Sequence, residues 1–121
     1  MFEISVEDTF AAGHALRGYR GKCEKVHGHN YKVQLAVEGG TLDSAGLLMD
    51  FVELKRLLHC VMDRLDHEFL NDMAPFDVVN PTAENVAKYF YDEIARGLSP
   101  EVRLASVKIW ETDTSIATYR P

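Results

Sequence analysis

The sequence predicts an α+β domain in which two helices cover one face of a four-stranded antiparallel sheet, in the order β-β-α-α-β-β. Three observations carry this. Runs of alternating polar and apolar residues stand at both ends of the chain, as half-buried strands require. Two amphipathic stretches of helical period lie between them, each behind a capping residue. No linker, repeat or low-complexity run interrupts the 121 residues, which predicts one domain spanning 1–121.

The first strand is "FEISV", with Phe2, Ile4 and Val6 on one side. "AAGHALRGYRGK" follows and reads as a loop, because it holds three glycines. The second strand puts His27, His29, Tyr31, Val33, Leu35 and Val37 on one face and polar residues on the other, since side chains alternate along a strand. The two histidines thus continue an apolar row. "EGGTLDSAG" is a glycine-rich connection.

"DFVELKRLLHCVMDRL" predicts the first helix. Asp50 can cap it, with Glu53 completing a capping box, and Phe51, Leu54, Leu58, Val61 and Leu65 form its apolar stripe. "TAENVAKYFYDEIARG" predicts the second, capped by Thr82, with Val86, Phe90 and Ile94 on one face and Gly97 as its stop. "VRLASVKIWE" and "SIATYR" close the chain as a hairpin around "TDT". Ala105, Val107, Ile109 and Glu111 share a face there, so an acid ends an apolar row and needs a partner.

The composition is that of a globular protein, 46% apolar and 26% charged. A net charge of -6 argues against broad binding to nucleic acid or an anionic membrane, while leaving room for a small anionic ligand at a local basic cluster. No apolar run approaches the roughly 18 residues of a transmembrane span. "MFEISVEDTF" has acids and no apolar signal core. Cys23 and Cys60 show no paired spacing, which predicts reduced thiols and cytoplasmic residence. Cys60 reads as a small buried apolar residue and His59 as a helix-surface histidine without a role.

Chemistry concentrates in "CEKVHGHNYKV". His27 and His29 lie on one face and can converge on a metal; equally, they can be half-buried histidines at a strand start. His14, in the glycine-flanked segment, is a candidate third ligand. Three histidines and an open position form a catalytic zinc site rather than a closed structural one. Cys23 is a candidate fourth ligand, or a base or nucleophile beside the metal. Asp66 and His67, in "LDHEFLN", can form a proton-transfer unit in which the carboxylate orients the imidazole, provided the chain turns there. Glu111, if it faces inward, can accept two N–H donors from a guanidine-like ring edge such as that of a pterin.

Taken together, "FAAGH", "CEKVHGHNY", "GLLMDFVELK", "LDHEFLN", "PTAENVA" and "WET" resemble the 6-pyruvoyl-tetrahydropterin synthase family, in the family's order and over nearly the whole chain. The likeness is greatest to its bacterial 6-carboxy-5,6,7,8-tetrahydropterin synthase branch. The resemblance implies a tunnelling fold (T-fold) assembled as a homohexamer, a dimer of trimers with active sites between subunits. It implies Zn2+ on His14, His27 and His29, with Cys23, Asp66 and His67 as catalytic residues. Glu111 would anchor the pterin, and Thr82 and Glu84 would help to form the pocket. The implied substrate is 7,8-dihydroneopterin triphosphate. The implied products are 6-carboxy-5,6,7,8-tetrahydropterin, acetaldehyde and triphosphate, in queuosine and deazapurine biosynthesis. The alternatives are 6-pyruvoyl-tetrahydropterin synthase activity, with the side chain retained, and a non-catalytic zinc- or pterin-binding module. Two departures from the family pattern stand beside His14: Gly13 where alanine is common, and Ala15 where arginine is frequent. Arg17, Arg20, Lys22 and Lys25 remain as cations that could meet a phosphate.

Overall fold

The computed structural model describes residues 1–121. Four strands, β1 (Phe2–His14), β2 (His27–Gly39), β3 (Arg103–Thr112) and β4 (Ser115–Tyr119), form one antiparallel sheet in the order β1-β2-β3-β4. Two helices, α1 (Phe51–Leu65) and α2 (Ala83–Ala95), lie in the chain between β2 and β3. The α+β architecture is the one predicted from the sequence.

Alternation explains the layers. Val6 and Phe10 of β1, Tyr31, Val33 and Leu35 of β2, and Val107 and Ile109 of β3 are buried on one face. They join a single core with Leu54, Leu58 and Leu65 of α1 and Val86, Phe90 and Ile94 of α2. Each such side chain contributes about 1.5–3 kcal/mol when fully buried. Phe10 lies opposite Tyr31 in the register, and their rings stack with centroids 5.0 Å apart. Both helix caps form as predicted: Asp50 accepts from the Val52 N–H and Thr82 from the Asn85 N–H.

Several local expectations fail for identifiable reasons. Ala11 to His14 are strand, not loop, because β1 continues in register to His14↔His27. Their outer edge is also covered: the Gly13 N–H donates to the Glu68 carbonyl at 3.0 Å and the His67 N–H to the Ala11 carbonyl at 2.6 Å. Ala105 leaves the buried row, which runs Leu104, Val107, Ile109, because the register slips between Ala36↔Ser106 and Val37↔Leu104 and makes Ala105 the extra residue. Phe51 is 52% exposed and Cys60 is exposed, so neither joins the core. Glu53 pairs with Arg56 rather than reaching back to its cap. His59 does have a partner, since its Nε2 lies 2.6 Å from Asp8 Oδ2 and ties α1 to β1. Gly97 does follow the end of α2, but without the left-handed backbone of a glycine cap, and a Cβ there would press at 2.9 Å only on the movable tip of Leu57.

Candidate functional site

Three histidines meet at the end of the inner face where β1 and β2 part. His14 ends β1, His27 begins β2, and the two are register partners; His29 stands opposite Ala12 one step inward. Period-2 geometry turns all three rings to one side. One ligand atom from each ring comes together with the others within 4.8 Å, so the cluster could hold a metal ion.

Hydrogen bonds fix how the rings present themselves. His14 Nδ1 lies 2.8 Å from the Pro81 carbonyl, and His27 Nδ1 lies 2.6 Å from the Lys25 carbonyl. A carbonyl only accepts, so each Nδ1 carries the proton, and in the neutral rings each Nε2 presents a lone pair. Those two Nε2 atoms are 2.9 Å apart. Two lone pairs at that separation repel unless a cation lies between them. His29 Nε2 is buried without a hydrogen-bond partner, and Glu111 Oε1 is 3.5 Å away. An orphaned buried nitrogen costs about 1–3 kcal/mol unless something uses its lone pair.

Electrostatics favour the ligating form. Burial pushes the His14 imidazole below its ordinary pKa, and burial does the same to His29 against the opposing pull of Glu111. Burial, and then the Glu111 charge, push the Tyr31 phenol up, so it stays protonated beside His14 with its oxygen 3.1 Å from Nδ1. Neutral imidazoles whose far nitrogens are held by backbone carbonyls are the usual first shell of zinc. At zinc–nitrogen distances of about 2.0–2.1 Å, tetrahedral ligands lie roughly 3.3–3.4 Å apart, so His14 and His27 would open by about half an ångström. The donor set and its spacing fit such an ion.

Glu111 owes its placement to a bulge. The register passes from Trp110↔Ile116 to Thr112↔Ser115, which leaves Glu111 as the extra residue on β3. Bulges re-aim side chains, and this one presents the carboxylate to His29. Glu111 also lines an open cleft of about 370 Å³ with Glu84 and Ser115 to Thr118 of β4. Thr82 stands at the start of α2 with its hydroxyl engaged in the cap.

Cys23, Asp66 and His67 make no hydrogen bond to this group, although His67 shares a cleft with His29. Cys23 lies half-buried in a short 3-10 turn, Lys22–Glu24, whose backbone is tied to the segment just after β1 through the Leu16 N–H and the Cys23 carbonyl at 2.8 Å. Asp66 and His67 do occupy the required turn: Asp66 ends α1 in an extended conformation and His67 has φ 62°. His67 Nδ1 lies 3.0 Å from Asp66 Oδ1, and the Ala11 N–H donates to the same oxygen at 3.0 Å. That N–H first, and then His67, hold the Asp66 carboxyl below the usual carboxylate range. The His67 side chain is 83% exposed and faces an open cleft of about 540 Å³ with His29, Val26, Asn30 and Phe69. Of the cations, Arg17 is committed, its guanidinium donating to the Phe76 and Val79 carbonyls, whereas Arg20, Lys22 and Lys25 make no ion pair. Sequence reasoning missed the Pro81 and Lys25 carbonyls that orient the rings, because backbone acceptors leave no trace in residue type.

Fold and site define a two-layer α+β protein carrying a three-histidine cluster at a strand junction. The chain belongs to the 6-pyruvoyl tetrahydropterin synthase family, whose model matches residues 3–121. It is 38% identical to the 6-carboxy-5,6,7,8-tetrahydropterin synthase of Bacillus subtilis, over 99% of this chain and 86% of that one. It is 40% identical to the 6-pyruvoyl tetrahydrobiopterin synthase of Homo sapiens, over 98% and 90%. The solved 6-pyruvoyl tetrahydropterin synthase of Caenorhabditis elegans superposes with a TM-score of 0.88 at 30% identity, covering 99% of this chain and 95% of that one.

Proposed function

We propose that this protein is a zinc-dependent enzyme converting 7,8-dihydroneopterin triphosphate and water to 6-carboxy-5,6,7,8-tetrahydropterin, acetaldehyde and triphosphate. The observation that carries the reading is the convergence of the His14, His27 and His29 nitrogens beside Glu111. Zinc held by those three rings would supply Lewis-acid polarisation of the substrate's side-chain hydroxyl oxygens. Glu111 would accept the N–H donors of the pterin edge, with Thr82 and Glu84 shaping the wall beside it. Cys23 would remove a side-chain proton from one side. His67, oriented by Asp66, would move a proton on the other. The ring is reduced as the side chain is oxidised, so no nicotinamide is required.

In this reading the working site forms between copies of the chain, in a hexamer of two trimers. Two features support that. Asp66 and His67 make no hydrogen bond to the triad or to Glu111, and the cleft that His67 lines with His29 does not include Glu111. The sheet also ends in two edges, β4 and the part of β1 before Ala11, and exposed edges favour pairing. The reduced state of Cys23 and Cys60 fits a cytoplasmic setting, and the carboxy product would feed queuosine and related deazapurine synthesis.

A second reading keeps the side chain and releases 6-pyruvoyl-tetrahydropterin, and the 40% identity to the human relative favours it. Incubating the purified protein with 7,8-dihydroneopterin triphosphate and identifying the products by mass separates the two. The carboxy product with acetaldehyde is expected. The pyruvoyl product would replace the first reading with the second, and unchanged substrate would reduce the protein to a binding module.

A further inference from the structure

Beyond His14 the chain leaves the sheet, yet its backbone stays paired on one side by side-chain amides. The Ala15 N–H donates to Asn71 Oδ1 at 2.9 Å, and Asn71 Nδ2 donates to the Ala15 carbonyl at 2.8 Å. Two residues on, the Arg17 N–H donates to Asn80 Oδ1 at 2.9 Å, and Asn80 Nδ2 donates to the Arg17 carbonyl at 2.9 Å. A carboxamide carries the donor and acceptor of a peptide unit, so each asparagine stands in for a strand neighbour. Residues 11, 13, 15 and 17 thereby form one paired edge at the strand's period of two. Asp66 and His67 serve Ala11, the Glu68 carbonyl serves Gly13, and the two amides serve Ala15 and Arg17.

His14 sits within this run, and its ring is held from the same segment. Pro81, whose carbonyl fixes His14 Nδ1, is the residue after Asn80. The Asn80 carbonyl in turn accepts from Asn85 Nδ2 at 2.8 Å, which anchors the segment to α2. The His14 imidazole is thus held by Pro81, and the backbone that follows it by Asn71 and Asn80.

We propose that Asn71 and Asn80 are positioning residues for the three-histidine site: their amide clamps hold His14 in its ligating orientation and so set the affinity for metal. The inference rests on the metal reading above. Partners one bond outside a first shell typically change metal affinity 10–100-fold when removed. Asn71→Ala and Asn80→Ala are each expected to weaken zinc binding about tenfold or more.

The test measures zinc affinity of the full chain by chelator competition, together with the visible absorption of the Co2+-loaded protein. Asp43→Ala is the control, because Asp43 accepts two backbone N–H bonds, from Ala45 and Leu47, in the connection between β2 and α1. The expected result is weaker zinc binding and an altered Co2+ band in both asparagine variants, with neither in the control. Wild-type affinity and spectrum in a folded Asn71→Ala or Asn80→Ala would overturn the inference. An equal loss in Asp43→Ala would also overturn it, by making the effect one of general stability. Should Asn80→Ala fail to fold, Asn71→Ala and Asn71→Ser carry the comparison. Wild-type protein that binds no zinc would instead overturn the metal reading, a result distinguishable from the others.

Discussion

His14 Nε2 and His27 Nε2 face each other at 2.9 Å, while the Nδ1 of each ring is held by a backbone carbonyl. That relationship links sequence to chemistry. Register pairing brings the two histidines opposite each other, the carbonyls choose the tautomer, and the tautomer leaves two lone pairs that need a cation.

Replacing His27 with alanine removes one of the three ligands. Stoichiometric zinc is expected to be lost on metal analysis of the purified variant, while the fold persists, because the His27 side chain is not part of the core. Retention of one zinc per chain would sink the three-histidine assignment.

Cys23→Ala is expected to keep its zinc and lose turnover by at least about a hundredfold, the usual loss when a general base is removed. Parallel loss of metal in that variant would make Cys23 a ligand instead. Its half-buried place in the Lys22–Glu24 turn, outside the strand register that aligns the histidines, favours the former outcome.

Glu111→Gln keeps the shape of the side chain and removes its charge. A bidentate charge-assisted contact to the pterin edge is worth about 1.5–3 kcal/mol, so KM should rise roughly 10–100-fold. Steady-state kinetics on a variant with normal zinc content would show this, and an unchanged KM would remove Glu111 from the pterin edge.

Asp66 makes acid sensitivity partly local. The Ala11 N–H and His67 lower its folded pKa below that of the unfolded chain. Its contribution to stability is therefore complete above the unfolded value of about 3.9 and is lost as pH falls through the folded value. Urea midpoints measured from pH 5 to pH 2 should fall more steeply in wild type than in Asp66→Asn. Parallel curves would show that the carboxylate is not stabilised by these bonds.

Gly39 tests the packing. A Cβ there would stand 2.7 Å from Leu48 Cδ1 and 3.1 Å from the Glu101 carbonyl, which is backbone and cannot swing away. Gly39→Ala should cost about 1–3 kcal/mol in chemical denaturation, as overpacking does. No loss would mean the β2–α1 connection is looser than this geometry.

Much of this could be read from residue order alone. The alternation of β2 placed His27 and His29 on the inner face, and Asp50 and Thr82 marked where the helices start, because these patterns are local. What stayed hidden depends on distant segments. Ala11 to His14 look like a glycine-containing loop until Glu68 and His67 pair with their edge. Ala105 changes faces because β3 carries an extra residue against β2, a mismatch that neither strand shows alone. Glu111 points inward through a second bulge, although simple alternation named it for a different reason. Asn71 and Asn80 resemble ordinary turn residues until their partners, more than fifty residues away in sequence, are in place.

The most direct test of the central claim joins metal and turnover in one sample. Purified protein would be analysed for zinc, stripped with a chelator, assayed with 7,8-dihydroneopterin triphosphate, then reloaded with zinc and assayed again. About one zinc per chain is expected at first, with turnover lost on stripping and restored on reloading. Full turnover by the metal-free protein would contradict the account.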